Sequence, residues 1–449
     1  MTARTKRTHI TNAQVVVDDE IQQVDVIIDQ SGRIDYVGPA RPVSDNCTAM
    51  DANGSMLLPA MIDDQVHFRE PGMTWKADFA TESRAAVSGG IATVMEMPNS
   101  NPATVTHDAL EDKYRRAASS MVTNHAFYLG ATNDNLDQIR SLDPHAACGV
   151  KVFMGASTGN MLVDDQKVLD GIFAEAPTLI ATHCEDTPMI LATTEEYVAR
   201  YGDDIPIQCH PDIRHRAACM KSSTLAVELA KRHGTNLHVL HITTAEELAH
   251  FQPGEIDGKK ITGEACVHHL WFERADYDRL GNFIKCNPAI KEASDRDAIL
   301  EAVKDGRIDI IATDHAPHTL EEKEGNYMRA PAGLPLVQEA MLTLAERAID
   351  GTWSWPFIAK KTAYNVAKRY QIDQRGYIRE GYWADLVLIN QNAETLITRE
   401  GARSKVGWSP FEGTRFKSRI DATFVSGYLA YHQGQVNDEH LGLRLTYTR

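Results

Sequence analysis

The hydrophobic pattern divides the chain into two textures. Both ends carry short apolar or alternating runs separated by turn-forming residues, a pattern that predicts small antiparallel strands. The runs cover residues 14–17, 24–28, 34–37, 384–389 and 422–430. Because the two ends resemble each other and differ from the middle, we expect them to pair into one small β-domain.

Between about residues 58 and 377, compact apolar runs alternate with polar stretches of helical periodicity. The runs cover residues 91–97, 125–129, 149–154, 179–183, 237–242 and 308–313. Strands that are buried on both faces are nearly continuous in Val, Ile and Leu, so this alternation predicts a parallel sheet covered by helices. The segment is long enough for a (β/α)8 barrel with insertions, and a doubly wound open sheet is the competing architecture.

The position of the reactive side chains favours the barrel. They lie at or just beyond the C-terminal ends of several different apolar runs, which is where barrel enzymes carry their active sites. We therefore predict an α/β fold. It comprises a (β/α)8 TIM-like barrel over residues 58–377 and a small β-sandwich domain formed by residues 1–57 and 378–449.

Composition and charge narrow the range of partners. The chain has 43% hydrophobic and 24% charged residues, as ordinary globular proteins do. Its 46 basic and 62 acidic residues give a net charge of −16, which repels nucleic acid. No apolar run reaches the roughly 18 residues of a membrane span, and we expect a cytoplasmic protein with no membrane partner. The seven cysteines never form Cys-x-x-Cys, which argues against disulfides and a zinc ribbon.

The first chemical signal is the pair His67 and Arg69, which flank Phe68. On a strand, residues two apart share a face, so these two polar side chains would point the same way. An exposed edge strand would explain the alternation equally well. The apolar neighbours Ile62 and Val66 favour a buried strand with a polar, functional face.

The second signal is Lys151, which interrupts an apolar run. A buried lysine rarely lacks a partner or a chemical use, although its amine can also reach the strand end and solvent. The sharper hypothesis is that the neutral amine reacts with carbon dioxide. The resulting carbamate would be an anionic oxygen ligand able to bridge two divalent cations.

Three further candidates follow later runs: His183, His241 and Asp314. A single histidine at a strand end is usually a hydrogen-bonded structural residue. Together with His67 and Lys151, however, these residues form an ordered set of nitrogen and oxygen donors. Such donors suit zinc, with positions left open for water and substrate.

Seven motifs then identify a family resemblance. They are HFREPG at 67–72, MPNSNPAT at 97–104, VKVFMGASTGNML at 150–162, THCED at 182–186, HITTAEE at 241–247, CNPAIK at 286–291 and TDHAPHTLEEK at 313–323. In this order they resemble the amidohydrolase superfamily and, within it, the larger, class I-like dihydroorotases, over nearly the whole chain. The first and last motifs are the specific ones, since the metal set alone would indicate the superfamily. ADLVLI and SPFEG near the end resemble the superfamily's C-terminal β-sandwich.

The resemblance implies a role for each motif residue. It implies a zinc site held by His67, carbamylated Lys151, His183, His241 and Asp314, with Asp314 also carrying the catalytic proton. It implies that Arg69, Asn99 and His318 bind a substrate carboxylate and that Asn287 contacts a pyrimidine ring. The implied reaction is the zinc-dependent, reversible cyclisation of N-carbamoyl-L-aspartate to (S)-dihydroorotate in pyrimidine biosynthesis, by a homo-oligomer.

One position departs from the family pattern. The first strand usually carries His-x-His, but here Gln65 stands two residues before His67. An amide oxygen is a weaker zinc ligand than imidazole, so the sequence leaves one or two zinc ions open. Alternatively, Gln65 packs or hydrogen-bonds nearby without touching a metal.

Two rival functions stay open at this point. A sister cyclic amidohydrolase, such as an allantoinase or a dihydropyrimidinase (hydantoinase), would share the metal ligands but would not require Arg69 and His318. A catalytically silent homologue acting as an assembly partner would explain Gln65. We also expect residues 319–333, which are polar and rich in glutamate, to form a loop beside the site.

Overall fold

The structure is a computed structural model that describes residues 6–155 and 161–449. Its strands are β1 (Arg7–Val17), β2 (Glu20–Ile28), β3 (Ile34–Gly38), β4 (Cys47–Asp51), β5 (Met56–Pro59), β6 (Met61–Val66), β7 (Ile91–Glu96), β8 (Asn124–Phe127), β9 (Leu129–Gly130), β10 (Val150–Phe153), β11 (Ile180–His183), β12 (Leu237–Val239), β13 (Ile261–Cys266), β14 (Ile310–Ala312), β15 (Leu386–Asn390), β16 (Thr395–Leu396), β17 (Arg415–Phe416), β18 (Arg419–Val425), β19 (Tyr428–His432) and β20 (Gln435–Val436).

Helices alternate with the central strands. They are α1 (Phe79–Ser88), α2 (His107–Ala117), α3 (Leu136–Arg140), α4 (Gln166–Glu175), α5 (Thr187–Tyr201), α6 (His210–Ile213), α7 (Arg216–His233), α8 (Tyr277–Leu280), α9 (Ala293–Asp305), α10 (Leu320–Lys323), α11 (Ala340–Ile349), α12 (Trp355–Ala359) and α13 (Asn365–Tyr370). Within the described residues, no helix is both long and apolar enough to cross a membrane.

The central strands form a closed parallel barrel. Parallel pairing runs from β6 through β7 to β8, and from β9 through β10, β11, β12 and β13 to β14. Tyr128 separates β8 from β9, which together occupy one barrel position, so the described residues fill eight positions. The backbone N–H of His67 donates to the carbonyl of His315 at 2.7 Å and joins the last strand to the first. The predicted (β/α)8 fold is confirmed.

The barrel strands have the composition that burial on both faces demands. Every residue of β7, β10, β11 and β14 is buried. The connecting helices carry ordinary end signals. For example, Asp78 caps α1 with its side chain, and α7 stops at Gly234, which adopts the left-handed conformation (φ 68°).

Strands from both ends of the chain form one nine-stranded sheet, in the order β20-β19-β18-β15-β5-β1-β2-β3, with β4 paired to β1. Its apolar residues include Ile10, Val15, Val26, Leu386 and Phe424, all fully buried in one cluster. The β-rich terminal domain is therefore confirmed. Most strand pairs of this sheet are antiparallel, as expected, but β1 pairs in parallel with both β4 and β5. The domain limits stay a prediction, and β5 spans the first of them.

Residues 319–333 form a loop beside the site, as expected, except for one short helix. The segment contains α10, whose first turn is closed by a capping box between Thr319 and Glu322. The buried amine of Lys323 donates to the carbonyls of Lys285, Pro331 and Gly333 at 3.0–3.1 Å. These bonds anchor the segment from within, in addition to its two ends, His318 and Gly333, where the sequence predicted an anchor.

Candidate active site

A cavity opens at the C-terminal ends of the barrel strands. Its walls include most of the side chains singled out in the sequence, namely Gln65, His67, Arg69, Asn99, Lys151, His183, His241, Asn287 and Asp314. His318 does not line the cavity directly, but its ring contacts Arg69. The barrel thus gathers every predicted site residue into one place.

His67 and Asp314 come from opposite ends of the barrel sequence and meet in this cavity. Nε2 of His67 lies 3.1 Å from Oδ1 of Asp314. Nδ1 of the same ring donates to Oδ1 of Asn99 at 2.7 Å. Because burial lowers the pKa of His67 and a neutral imidazole carries one N–H, Nε2 presents a lone pair toward the carboxylate. Two acceptors therefore converge on one small volume, an arrangement that suits a cation.

Arg69 does not share a strand face with His67 as the alternation predicted. Strand β6 ends at Val66, and Arg69 has a left-handed backbone (φ 66°). Both side chains nevertheless line the cavity, because the turn after the strand redirects Arg69. Its Nε donates to the carbonyl of Pro317 at 3.2 Å. Burial lowers the pKa of Arg69 to about 10, so the guanidinium stays charged at neutral pH.

Lys151 is the buried lysine of β10, with 1% of its surface exposed. Among residues 6–155 and 161–449, its amine has no hydrogen bond or ion pair, and it lies 4.8 Å from the centre of the Phe153 ring. Burial lowers the pKa of Lys151 to about 8. A substantial fraction of the amine is therefore neutral near physiological pH, which is the form that reacts with carbon dioxide.

His183 and His241 form a second pair of nitrogen donors. Nδ1 of His183 lies 3.0 Å from Nε2 of His241. On its other side, Nε2 of His183 lies 3.0 Å from a carboxylate oxygen of Glu185, whose negative charge favours the proton on Nε2. Glu185 pairs in turn with Arg214, whose charge, together with the contact of His183, outweighs burial and holds the pKa of Glu185 below its usual value. Nδ1 of His183 is thereby left with a lone pair.

The backbone of His241 is held by a hydrogen bond to Glu264. It follows β12 by two residues and has a left-handed backbone (φ 42°). Its backbone N–H donates to Oε1 of Glu264 at 3.0 Å. Burial, and then the proximity of His183, lowers the pKa of His241 well below its ordinary value, so the ring is neutral and able to act as a ligand.

Gln65 occupies the position at which the family resemblance predicts a histidine. Its amide nitrogen donates to Oδ1 of Asp314 at 3.0 Å. Its buried Oε1 has no hydrogen-bond partner among the described residues. The side chain therefore holds the Asp314 carboxylate through its amide nitrogen. Its Oε1 stays without a partner in the described chain. Oδ1 of Asn287 is likewise buried and without a partner in the described chain.

The amidohydrolase family model matches residues 56–430, which include the whole barrel. The chain belongs to the amidohydrolase family. It is a hydrolase, as the sequence predicted, and the family match covers every residue gathered in the cavity.

Individual relatives of this amidohydrolase carry three different names. A dihydroorotase of Halobacterium salinarum is 34% identical over 385 residues, which cover 85% of this chain and 87% of that protein. An allantoinase of Escherichia coli is 29% identical over 435 residues, or 94% of each chain. The solved structure of L-hydantoinase (dihydropyrimidinase) from Arthrobacter aurescens has a TM-score of 0.92 and 25% identity, and covers 98% of this chain and 99% of that one. Overall similarity therefore does not distinguish a dihydroorotase from an allantoinase or a hydantoinase.

The donor set of the amidohydrolase fits zinc. It offers neutral imidazoles from His67, His183 and His241, the Asp314 carboxylate, and an amine suited to carbamate formation in Lys151. The convergence of the His67 lone pair on Asp314 is the observation that favours a cation at this point. Two tighter groups of potential ligands lie elsewhere in the described residues, Cys266 with His268 and His269, and Asp64 with His238 and Glu264.

Sequence reasoning missed three residues that support the site: Glu185, Glu264 and Lys76. Glu185 lies two residues beyond His183 in the THCED motif, and that spacing was a usable signal. Glu264 and Lys76 are distant in sequence from the residues they contact. Lys76 reaches His318 across 242 residues of chain, and no local pattern announces such a contact.

Proposed function

We propose that this amidohydrolase is a dihydroorotase, which interconverts N-carbamoyl-L-aspartate and (S)-dihydroorotate. The observation that carries the proposal is the pairing of Arg69 with His318 beside the ligand set. Nη2 of Arg69 lies 3.0 Å from Nε2 of His318. A guanidinium and an imidazole N–H together match a planar carboxylate, the group that separates dihydroorotate from uncharged cyclic amides.

The zinc-binding role falls to His67, His183, His241, Asp314 and carbamylated Lys151. Bound zinc would polarise the scissile carbonyl and lower the pKa of water toward neutrality. Gln65 supplies an amide oxygen instead of an imidazole, and metal analysis of the purified protein distinguishes one bound ion from two. The remaining steps are carried by the chain's own side chains.

Substrate binding rests on four residues. Arg69, with Asn99 and His318 beside it, receives the substrate carboxylate. The charge of Arg69 also offsets the repulsion that an anion meets from a chain of net charge −16. The free Oδ1 of Asn287 accepts a hydrogen bond from a ring N–H. Together these contacts fix the ring with its amide carbonyl toward Asp314.

Asp314 transfers the proton. In the hydrolytic direction, water adds to the ring carbonyl and the Asp314 carboxylate takes the proton that the water loses. The amide C–N bond then breaks, and the same carboxyl group returns the proton to the departing ring nitrogen. Cyclisation runs through the same steps in reverse and releases water. Gln65 holds the carboxylate from one side by its bond to Oδ1.

An allantoinase or a hydantoinase is the alternative in the same chemical class. Such an enzyme needs the metal ligands but has no substrate carboxylate to justify burying Arg69 against His318. A silent homologue acting as an assembly partner would be expected to lose ligands. Here His67, Lys151, His183, His241 and Asp314 are all retained.

The deciding experiment is a substrate panel on one metal-analysed preparation. We expect cyclisation of N-carbamoyl-L-aspartate and hydrolysis of dihydroorotate to exceed the turnover of allantoin, hydantoin and dihydrouracil. Higher kcat/KM on an uncharged ring would overturn the dihydroorotase assignment in favour of the sister enzymes. No turnover of any substrate with zinc bound would favour the silent homologue.

We infer a cytoplasmic step of pyrimidine biosynthesis, carried out by a homo-oligomer that binds neither nucleic acid nor membrane. Sedimentation of the purified protein tests the oligomeric state directly.

A further inference from the structure

The ring of His318 lies between two cationic side chains. Nδ1 is 2.9 Å from the amine of Lys76, and Nε2 is 3.0 Å from Nη2 of Arg69. Nε2 is also 3.0 Å from the carbonyl oxygen of Ala332. An ammonium and a guanidinium can only donate hydrogen bonds, whereas a neutral imidazole can accept only one. The ring therefore cannot accept from both cations at once.

The other contacts decide which nitrogen carries the proton. The carbonyl of Ala332 can only accept, so it favours N–H on Nε2. Nδ1 then holds the lone pair and accepts from Lys76. A carboxylate oxygen of Glu322 lies farther from Nδ1, at 3.8 Å, beyond hydrogen-bond distance. The proton of His318 therefore resides on Nε2.

Two observations support a neutral ring facing a charged lysine. Burial, followed by the charge of Arg69, lowers the pKa of His318 well below its ordinary value. The amine of Lys76 lies 2.7 Å from Oε1 of Glu322, an ion pair that offsets the cost of burying it. The contact between Lys76 and His318 is thus an ammonium donating to an imidazole.

The tautomer of His318 determines whether Arg69 can donate to its ring. Since Nε2 of His318 is a donor, Nη2 of Arg69 faces another donor and does not give its hydrogen to the ring. The His318 N–H is taken by the carbonyl of Ala332, so the hydrogen of Nη2 has no acceptor on the ring and remains available to an anion. With the opposite tautomer, Nε2 would accept from Arg69 and the two would satisfy each other.

We propose that Lys76 is a positioning residue that fixes His318 as the Nε2–H tautomer, so that the ring does not accept from Nη2 of Arg69 and this hydrogen stays available to an anionic carboxylate. The specificity of the site for an anionic substrate would then depend on a residue that does not itself touch the substrate. This inference rests on the proposed function in so far as the anion is a substrate carboxylate.

The ring has little freedom to rotate away from this arrangement. Nε1 of Trp408 donates to the backbone carbonyl of His318 at 2.8 Å. Gly333 packs against the ring, and a Cβ there would lie 3.0 Å from Cδ2 of His318 and 2.4 Å from the carbonyl oxygen of Ala316. The tautomer is therefore the remaining variable. Lys76 and the Ala332 carbonyl favour the proton on Nε2, whereas Arg69 and Glu322 favour it on Nδ1.

The direct test is the tautomer itself. We suggest ¹⁵N-histidine labelling of the zinc-loaded enzyme, with the His318 resonances assigned by their loss in His318→Gln. In the native chain we expect an unprotonated Nδ1 and a protonated Nε2. In Lys76→Met we expect the proton to move to Nδ1, where Glu322 becomes the nearest acceptor. Lys76→Arg should keep the native tautomer.

Lys405→Met is the matched control. Lys405 donates to the carbonyl of Thr74 and pairs with Asp78 at 2.8 Å, so it holds the same segment as Lys76 but does not contact His318. Its variant should leave the His318 resonances unchanged. A native ring protonated on Nδ1, or a Lys76→Met spectrum identical to the native one, overturns the inference.

Kinetics separate this inference from the proposed function. We expect Lys76→Met to raise KM for N-carbamoyl-L-aspartate roughly 10-fold or more, as for a lost hydrogen bond to a charged group, with kcat changed far less. Lys76→Met should weaken inhibition by orotate but not inhibition by uracil. Lys76→Arg should restore the native KM and the native inhibition by orotate. If the tautomer shifts but orotate and uracil weaken equally, the role of Lys76 stands and the carboxylate clamp of the proposed function is overturned.

Discussion

Nε2 of His67 lies 3.1 Å from Oδ1 of Asp314, although 247 residues separate them in the chain. The first residue follows the first barrel strand and the second follows the last. Barrel closure therefore builds the centre of the site, because it brings the two ends of the sheet together. Asp314 has a left-handed backbone (φ 52°), a conformation that costs about 1 kcal/mol or more and that the closed barrel maintains.

Asp314→Asn should impair both directions of the reaction and both charged and uncharged substrates. An amide cannot carry the proton between water and the leaving nitrogen, and that transfer is common to all of them. We expect a loss of roughly 10²–10⁴-fold in kcat, the usual contribution of general acid–base catalysis. Steady-state assays at equal zinc content measure it, and near-normal kcat would exclude Asp314 as the proton carrier.

Arg69→Gln should act on charge. We expect kcat/KM for dihydroorotate to fall roughly 10- to 150-fold, the value of a lost hydrogen bond to a charged group, while dihydrouracil is little affected. The assay compares the two rings on the same preparation. Equal losses on both would contradict the carboxylate clamp and favour the sister cyclic amidohydrolases.

Lys151→Ala should lose most bound zinc and most activity, because the bridging oxygen ligand disappears. Short carboxylic acids that fit the vacated space should restore part of both. Elemental analysis and activity with added acetate or propionate are the measurements.

Lys361→Ala provides the control for Lys151→Ala. Lys361 is also buried, but its amine donates to the carbonyl of Ile308, and it belongs to no part of the ligand set. It should keep native zinc content. Full zinc in Lys151→Ala would contradict the carbamate.

Carbamate formation should also depend on pH in a defined direction. Burial lowers the pKa of Lys151 to about 8, and only the neutral amine reacts. At a fixed concentration of dissolved carbon dioxide, zinc-free protein should therefore regain activity faster as the pH rises through 8. The rate of reactivation on adding zinc measures this, and a rate that falls over pH 7–9 would contradict it.

Glu185→Gln should weaken zinc binding by roughly 10- to 100-fold, the usual effect of removing a carboxylate behind a ligand histidine. The amide can offer its nitrogen to His183 and thereby favour the wrong tautomer. Competition with a chelator gives the affinity. Glu247→Gln is the control, since Glu247 is equally buried but bonds to Thr244 instead. Equal affinities in the native chain and Glu185→Gln would exclude the orienting role.

The local sequence pattern by itself determined much of the fold and the position of the site. Burial on both faces makes barrel strands continuously apolar, so the sequence alone predicted the barrel. Because parallel strands present their C-terminal ends at one edge, it also predicted that His67, Lys151, His183, His241 and Asp314 would meet. The terminal β-domain followed from the shared texture of the two ends. These features repeat at short range, and short-range periodicity is visible in a linear sequence.

The tertiary structure decided in which direction side chains point and which residues distant in the sequence come into contact. Alternation placed His67 and Arg69 on one strand face, whereas the chain turns after Val66 and Arg69 reaches the cavity from a left-handed backbone. The parallel pairing of β1 and the anchoring of residues 319–333 by Lys323 also lie beyond any local pattern. Only the folded chain sets Lys76 against His318, because hydrogen-bond geometry between loops of different strands is fixed by barrel closure and not by the residues on either side.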